Sequence, residues 1–421
     1  MSNADAILKE LERCYYRVST DTRLDLNGSI YFALKGENHD GNLFVQDALK
    51  KGAKAVVTDK KENAGENVFV VDSTLKTLQE VARKYREQFS IPIIVIGGSN
   101  GKTTSKDLIS SVLETKYKIH RTKENLNNEI GLPLSLLNMG KKSEIGVFEV
   151  GANHAGEHLE LMKILSPTIV VVTNNGLDHL EGFGSPEGVR KANKEIYDWA
   201  LKNKVLAFVD KEQKDLVEDS ERLERILYPE HKLEITNSAP LSIKFENKEY
   251  VTNLAGDYNL ANIGLALSVG KHLNVNPDTA LKAVCQLIPS PNRSQLVTKN
   301  GVRFVVDCYN ANPSSMEASL SSFLKSTKGQ KGVILGDMLE LGKYSAEEHK
   351  KIVKHVSEQK LDCIVFVGPE FKKALENESL KHLWFPDSLK TKEWFIGEKF
   401  NEFTFLLKGS RGIKIERILG Q

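Results

Sequence analysis

Cysteine is scarce and scattered in this chain. The four thiols, Cys14, Cys285, Cys308 and Cys363, form no CxxC pair, which argues against a zinc knuckle or a redox motif and fits free thiols in a reducing compartment. Long apolar runs are missing as well: none approaches the ~20 residues of a membrane span. The start, MSNADAILKELERC, is polar and acidic where a signal peptide would be basic and then apolar. A cytoplasmic protein without membrane insertion is therefore expected. Nor is there an excess of charge, since 58 Lys plus Arg stand against 56 Asp plus Glu for a net +2. Without a broad basic field, nucleic acid is not an expected partner. Internal repeats and low-complexity tracts are absent too.

What is present is an ordinary folding composition, 40% hydrophobic and 27% charged over 421 residues. At roughly 150 residues per domain, two or three domains are expected. SIYFA (29–33) and AKAVV (53–57) read as short buried strands flanking a helical stretch, FVQDALKKG, and a charged helix runs over 74–89. The strand in IPIIVIGG then enters a glycine loop and a helix, TTSKDLISSVLET. Further strands recur in EIGVFEVG (144–151), TIVVVTN (168–174) and KVLAFVD (204–210), alternating with helices such as PEGVRKANKEIYDWALK. That alternation predicts βαβ units and a mostly parallel sheet. Residues 212–250 carry no assignable pattern. NLANIGLALSVGKHL and PDTALKAVCQL read as helices, and Pro289, Pro291 and Asn292 as a hinge. Beyond it VRFVVDCYN, GVILGD, CIVFVG and FTFLLKG give four more strands, with a helix starting at Pro313. The fold class expected is α/β, in three domains spanning 1–84, 85–290 and 291–421.

The loop Gly98-Ser99-Asn100-Gly101-Lys102-Thr103-Thr104, between buried strand and helix, has the context a phosphate loop requires. Glycines let backbone N–H groups approach phosphate oxygens, and the helix N-terminus adds a favourable dipole. Lys102 would then hold the β/γ-phosphates and the Thr103 hydroxyl a Mg²⁺ ion. The full pattern has glycine where Ile96 stands, so the loop is a shortened variant; the plain alternative is a glycine turn. Glu149 closes GVFEVG and His179 follows the next strand, so both fall at carboxyl ends of parallel strands, where α/β sheets place ligands. A carboxylate and an imidazole there could hold Mg²⁺, although either residue alone is more often structural. His154-Ala155-Gly156-Glu157-His158 matches the HxxEH pattern of zinc proteases, which needs an unbroken helix. Gly156 and the preceding GAN make this a chance match.

GGSNGKTTSKDLI, ENLNNEIGLPLSLL (124–137), FEVGANHAGE (148–157) and TNNGLDHLEGFGS (173–185) together resemble the Mur ligase family. The likeness runs nearly end to end. STDTR (19–23) and FALKGENHDGN (32–42) are similar to its UDP-binding domain; PNRSQL (291–296), DCYNANPSSM (307–316), LGDMLELG (335–342) and LKGSRG (407–412) to its C-terminal domain. NLNNEIGLP and YNANPSSM resemble the member that adds D-alanyl-D-alanine, and no DNPR-like motif of the diaminopimelate-adding member occurs.

The resemblance implies a three-domain architecture with a central P-loop parallel-sheet ATPase domain and a C-terminal Rossmann-like domain. It implies ligation of D-alanyl-D-alanine to UDP-N-acetylmuramoyl-tripeptide with ATP and Mg²⁺, through an acyl phosphate; a monomer is the expected state, although the sequence does not itself set it. Lys102, Glu149 and His179 would be catalytic, with Thr103, Glu149 and His179 as metal ligands. Thr20, Asp21, Thr22, Arg23, Lys35 and Gly36 would bind the UDP-sugar, and Asn127 and Asn128 the peptide arm. Asn259 and Asn262 would lie near adenine, Arg293 at the phosphates and Asp307 at the ribose; Tyr309, Asn310 and Asn312 would face the dipeptide. For the Asn residues of NANPSS the alternative is turn and cap chemistry. A folate-polyglutamate-type ligase and a non-catalytic nucleotide-binding protein are the competing classes. One departure stands out: where the family carries a carbamylated lysine, the chain has Asn193, with Lys194 one position along. A one-residue shift turns a helical side chain by ~100°, so Lys194 is expected to face away.

Overall fold

The computed structural model describes residues 2–123, 125–376 and 381–420. By its contacts the chain divides into two compact units, 1–95, 117–152 and 156–170 forming one and 96–116, 153–155 and 171–421 the other.

Three α/β sheets organise the chain. The first has four strands in the order Val18–Ser19, Ile30–Phe32, Ala55–Thr58, Val68–Val70, every neighbouring pair parallel. The apolar runs read as SIYFA and AKAVV are its two inner strands, bridged by the helix Val45–Lys50. The second sheet runs Arg225–Tyr228, Leu206–Asp210, Ile169–Val172, Ile93–Gly97, Ile145–Glu149, Ile119–Arg121. Ile93–Gly97 is the earliest of these strands in the chain yet lies inside the sheet, with later strands added on both sides. Such a reversal of strand order is where open α/β sheets bind ligands.

The third sheet runs Gln295–Lys299, Val302–Val306, Thr404–Lys408, Lys331–Gly336, Cys363–Val367, Leu383–Phe385. Only its first pair is antiparallel. Alternate residues of each strand enter opposite cores: Val305, Val333, Leu335, Phe366 and Leu406 pack on one side, Phe304, Ile334, Val365, Phe405 and Leu407 on the other. Burial of both faces explains why these strands read as continuous apolar runs without alternation.

Two strands of this sheet escaped the sequence reading, which gave four where the structure has six. Gln295–Lys299 is a half-exposed edge strand joined to its neighbour by Asn300 and Gly301, both at positive φ. Leu383–Phe385 is only three residues long. The unassigned stretch 212–250 holds the helix Lys214–Asp219, the edge strand Arg225–Tyr228 and a three-stranded antiparallel sheet, Glu234–Ser238, Leu241–Phe245, Lys248–Val251. One hairpin there turns through Glu246 and Asn247 at φ 47° and 65°. The turn has the primed form without the Asn-Gly pair that would have announced it.

Candidate functional site

The glycine loop is built from backbone outward. Gly98 and Gly101 adopt φ 109° and 80°. A Cβ on Gly98 would collide with the Thr173 hydroxyl and lie 2.7 Å from its amide nitrogen, so only glycine fits that approach. Asn174 braces the loop from the neighbouring strand end: its backbone carbonyl accepts from Ser99 N at 2.9 Å. Its side chain accepts from Asn100 N at 3.1 Å and donates to Asn100 O at 2.9 Å. The Ser99 hydroxyl donates to the buried Asp178 carboxylate. The helix Lys102–Glu114 starts at Gly101 with no side-chain cap, which leaves its first amides to serve an anion. The Lys102 ammonium rests on the carbonyl oxygens of Gly98 and, at 3.1 Å, Ser99, inside the same loop. Thr103 is buried at the first turn.

His179 sits in the left-handed region at φ 46°, and its Nδ1 pairs with Glu340 Oε2 at 2.8 Å. That hydrogen bond holds the Glu340 carboxyl below its ordinary range. Glu340 is itself at φ 64°. Asn193 lies buried on the helix Pro186–Asn203 and donates to Asn175 Oδ1 at 2.9 Å; Asn175 in turn donates to Asp215. Lys194 pairs with Asp198 one turn along the exposed face.

Asn259 and Asn262 form a relay. Asn262 donates to Asn259 Oδ1 at 2.9 Å, Asn259 donates to Ala255 O at 2.8 Å, and Ser105 donates to Asn262 Oδ1 at 3.0 Å. The pair thereby ties the helix Asn259–His272 to the phosphate-loop helix. Asp307 is committed to structure: Oδ2 accepts from Ser319 Oγ at 2.6 Å and Lys408 Nζ at 2.7 Å, and Oδ1 from Ser294 N at 3.3 Å. Burial would raise its pKa, but the Lys408 charge and these hydrogen bonds outweigh it and hold the carboxyl below its ordinary value. Arg293 lies over the Tyr309 ring, 3.6 Å from centroid to Cζ. Asn310 is exposed. Asn312 shows the cap chemistry offered as the alternative for it, Oδ1 capping the helix Pro313–Ser326 at Ser315 N, 2.9 Å, and its Nδ2 also donates to Asn100 Oδ1 at 2.8 Å.

In the other unit, Glu149 ends its strand buried, accepting at Oε1 from Asn127 Nδ2 at 2.9 Å. Asn128 spends its side-chain oxygen on the amides of Ile130 and Gly131. Asp21 grips the exposed Arg23 through both carboxylate oxygens, and that hydrogen bonding lowers its pKa to about 2. Thr22 O accepts from Lys51 Nζ at 2.9 Å, Thr20 is half-buried, and Lys35 and Gly36 are exposed on a turn closed by Gly36 N to His39 O. The helix Glu157–Leu165 starts after Gly156, at φ 90°, so His154 lies off the helix and the HxxEH match fails on geometry. Among the described residues no group of three or more His, Cys, Asp or Glu could hold a metal, and no helix is long and apolar enough to cross a membrane.

Sequence reasoning overlooked Asn174, Asp178, Glu340, Lys408 and Arg411, although Asp178 adjoins His179 and Arg411 stands in LKGSRG. Their roles arise from contacts far along the chain, such as Arg411 Nη1 to the Tyr309 hydroxyl at 3.2 Å.

Comparison with known proteins places these residues in context. The family models for the Mur ligase family catalytic domain, the Mur ligase middle domain and the Mur ligase glutamate ligase domain match residues 15–92, 96–270 and 292–389. The UDP-N-acetylmuramoyl-tripeptide--D-alanyl-D-alanine ligase of Bacillus subtilis is 32% identical, covering 96% of this chain and 92% of its own. A crystal structure of MurF from Acinetobacter baumannii superimposes with a TM-score of 0.88 at 27% identity, over 98% of this chain and 97% of that one. MurF ligase from Thermotoga maritima, solved in complex with ADP, gives 0.85 at 28% identity over 96% of each.

Proposed function

The chain belongs to the Mur ligase family, and from that premise we propose that it joins D-alanyl-D-alanine to UDP-N-acetylmuramoyl-tripeptide at the expense of ATP, completing the pentapeptide precursor of peptidoglycan. The observation that carries this reading is the near full-length likeness to ligases of that one activity, together with a loop whose uncapped amides and enclosed lysine suit a polyphosphate. The fold class is α/β with the Mur ligase architecture. We place the domain boundaries near residues 85 and 290: residues 1–84 take the UDP-sugar, 85–290 the ATP and 291–421 the dipeptide.

In the reaction a carboxylate oxygen of the tripeptide attacks the γ-phosphorus and ADP leaves. The dipeptide amine then attacks the acyl carbon, phosphate departs, and the nitrogen loses a proton. No protein nucleophile is required, so the chain's task is positioning and charge neutralisation. Lys102 exchanges its loop carbonyls for the β/γ-phosphates. Asn174 and Asn312 hold Asn100, and with it the loop, in place. Thr103, Glu149 and His179 would hold Mg²⁺: the hydroxyl and carboxylate oxygens of the first two suit a hard ion that keeps much of its water, and the Glu340 contact at Nδ1 fixes the His179 ring. Bound Mg²⁺ supplies neutralisation of phosphate charge. Thr20, Asp21, Thr22, Arg23, Lys35 and Gly36 serve the UDP-sugar, and Asn127 and Asn128 shape the peptide arm. The protein acts as a cytosolic monomer.

Phosphate release from ATP, measured with the diaminopimelate- and lysine-containing UDP-tripeptides and D-alanyl-D-alanine, tests the reading. Release should require the dipeptide. Release driven by folate and glutamate, or ATP binding without dipeptide-dependent turnover, would sink it.

A further inference from the structure

Arg411 belongs to no site described so far. It follows Ser410, a fully buried residue whose backbone and hydroxyl are pinned: Ser410 N donates to Asp337 O at 3.0 Å, Leu339 N donates to Ser410 Oγ at 2.9 Å, and that hydroxyl donates to Ala311 O at 3.1 Å. The base of the Arg411 side chain is thus fixed beside the 309–311 turn while its guanidinium is exposed. That guanidinium donates through Nη1 to the Tyr309 hydroxyl at 3.2 Å, with Cζ 5.2 Å from the ring centroid. The same ring carries Arg293 on its face at 3.6 Å.

Arg293 is held as firmly. It lies between Asn292 and Ser294, at φ 62° and 49°. Asn292 O accepts from Cys308 N and Tyr309 N at 2.9 and 3.0 Å, and Ser294 is tied to Asp307 and Tyr258. Among the described residues neither guanidinium has a carboxylate partner, whereas the buried cation beside them, Lys408, is matched by Asp307. One tyrosine thus keeps two guanidiniums in fixed places, each with donors left over for an incoming anion.

We propose that Arg411 binds the terminal carboxylate of the incoming dipeptide, with Tyr309 as the spacer that keeps it from the phosphate-facing Arg293. The proposal rests on the ligase reading above. That reaction brings one carboxylate that is never consumed, and the remaining donors of the Arg411 fork match a planar carboxylate.

Steady-state kinetics of the full-length enzyme test it. Arg411→Ala should raise the KM for D-alanyl-D-alanine by about 10- to 100-fold, the loss of a charge-assisted contact, while the KM for ATP moves less than about threefold. D-alanyl-D-alaninamide, which lacks the carboxylate, should be a poor substrate for the wild type and should lose little further in the variant. Arg411→Lys should recover part of the loss, and unchanged thermal melting checks the fold. A rise in KM for ATP alone, or equal losses for acid and amide, overturns the assignment while leaving the ligase reading intact. A wild type that never uses the dipeptide overturns both.

Discussion

The phosphate loop and the segment 292–312 lie in the same compact unit but are held by different means. In the loop, glycine conformations and the Asn174 amide fix the backbone, so Lys102 adds charge without supporting the fold. In the second segment the support is side chains in a buried pair, Asp307 with Lys408, whose exposures are 17% and 2%. The lesson is that the same kind of charged residue answers to different assays: one to rate, the other to stability.

Lys102→Ala should test this most sharply, lowering the ligation rate by about 10³-fold, ~4 kcal/mol of barrier, with an unchanged melting temperature. A variant retaining more than about a tenth of the rate would remove the loop from the chemistry.

Asp307→Ala should do the reverse. It leaves Lys408 buried without its partner, at a cost of roughly 3 kcal/mol in chemical denaturation. Because the folded Asp307 carboxyl is depressed, the ion pair contributes fully above the unfolded value of about 3.9 and is lost as pH falls from there through the lower folded value. Lys408→Met should flatten that acid limb of the stability profile. A wild-type slope unchanged by the substitution would show that the pair does not govern it.

A smaller effect should separate metal from substrate. Glu149→Gln and His179→Ala should each raise the Mg²⁺ concentration needed for half-maximal rate by about tenfold, and the KM for dipeptide by less. Identical Mg²⁺ titrations would refute ligation by either residue.

The smallest effects concern neighbours on one helix. Asn193→Ala, which cuts the link to Asn175, should cost about fivefold in rate, a fraction of the hydrogen-bond range, whereas Lys194→Ala should stay within about twofold. Removing dissolved CO₂ should change nothing. A dead but folded Lys194→Ala, or an enzyme halted without bicarbonate, would show that a carbamate is formed at 194.

Adjacent strand, glycines and helix made the loop legible, because all of its parts lie within a dozen residues and the chemistry is backbone chemistry. The separation of Asn193 from Lys194 followed from helical periodicity alone. Residues 212–250 were opaque for the opposite reason: their strands are short, one is nearly all exposed, and the Glu246-Asn247 turn lacks its usual residues. Asn300-Gly301 did carry a hairpin signal, and its edge strand was missed because half its side chains face solvent.

The sequence by itself determined an α/β chain with a glycine loop at Gly98–Thr104 between strand and helix, since apolar periodicity and glycine placement act locally; the ligase reading came from the resemblance of its motifs to the Mur ligase family. Tertiary structure decided how the polar residues are partnered. Asn259, Asn262 and Asp307 turned out to satisfy one another or a buried lysine, while Arg411, 102 residues beyond Tyr309, was brought to its hydroxyl. A side chain's partners are set by which strand ends and turns the packed sheets bring together, and no local pattern encodes that.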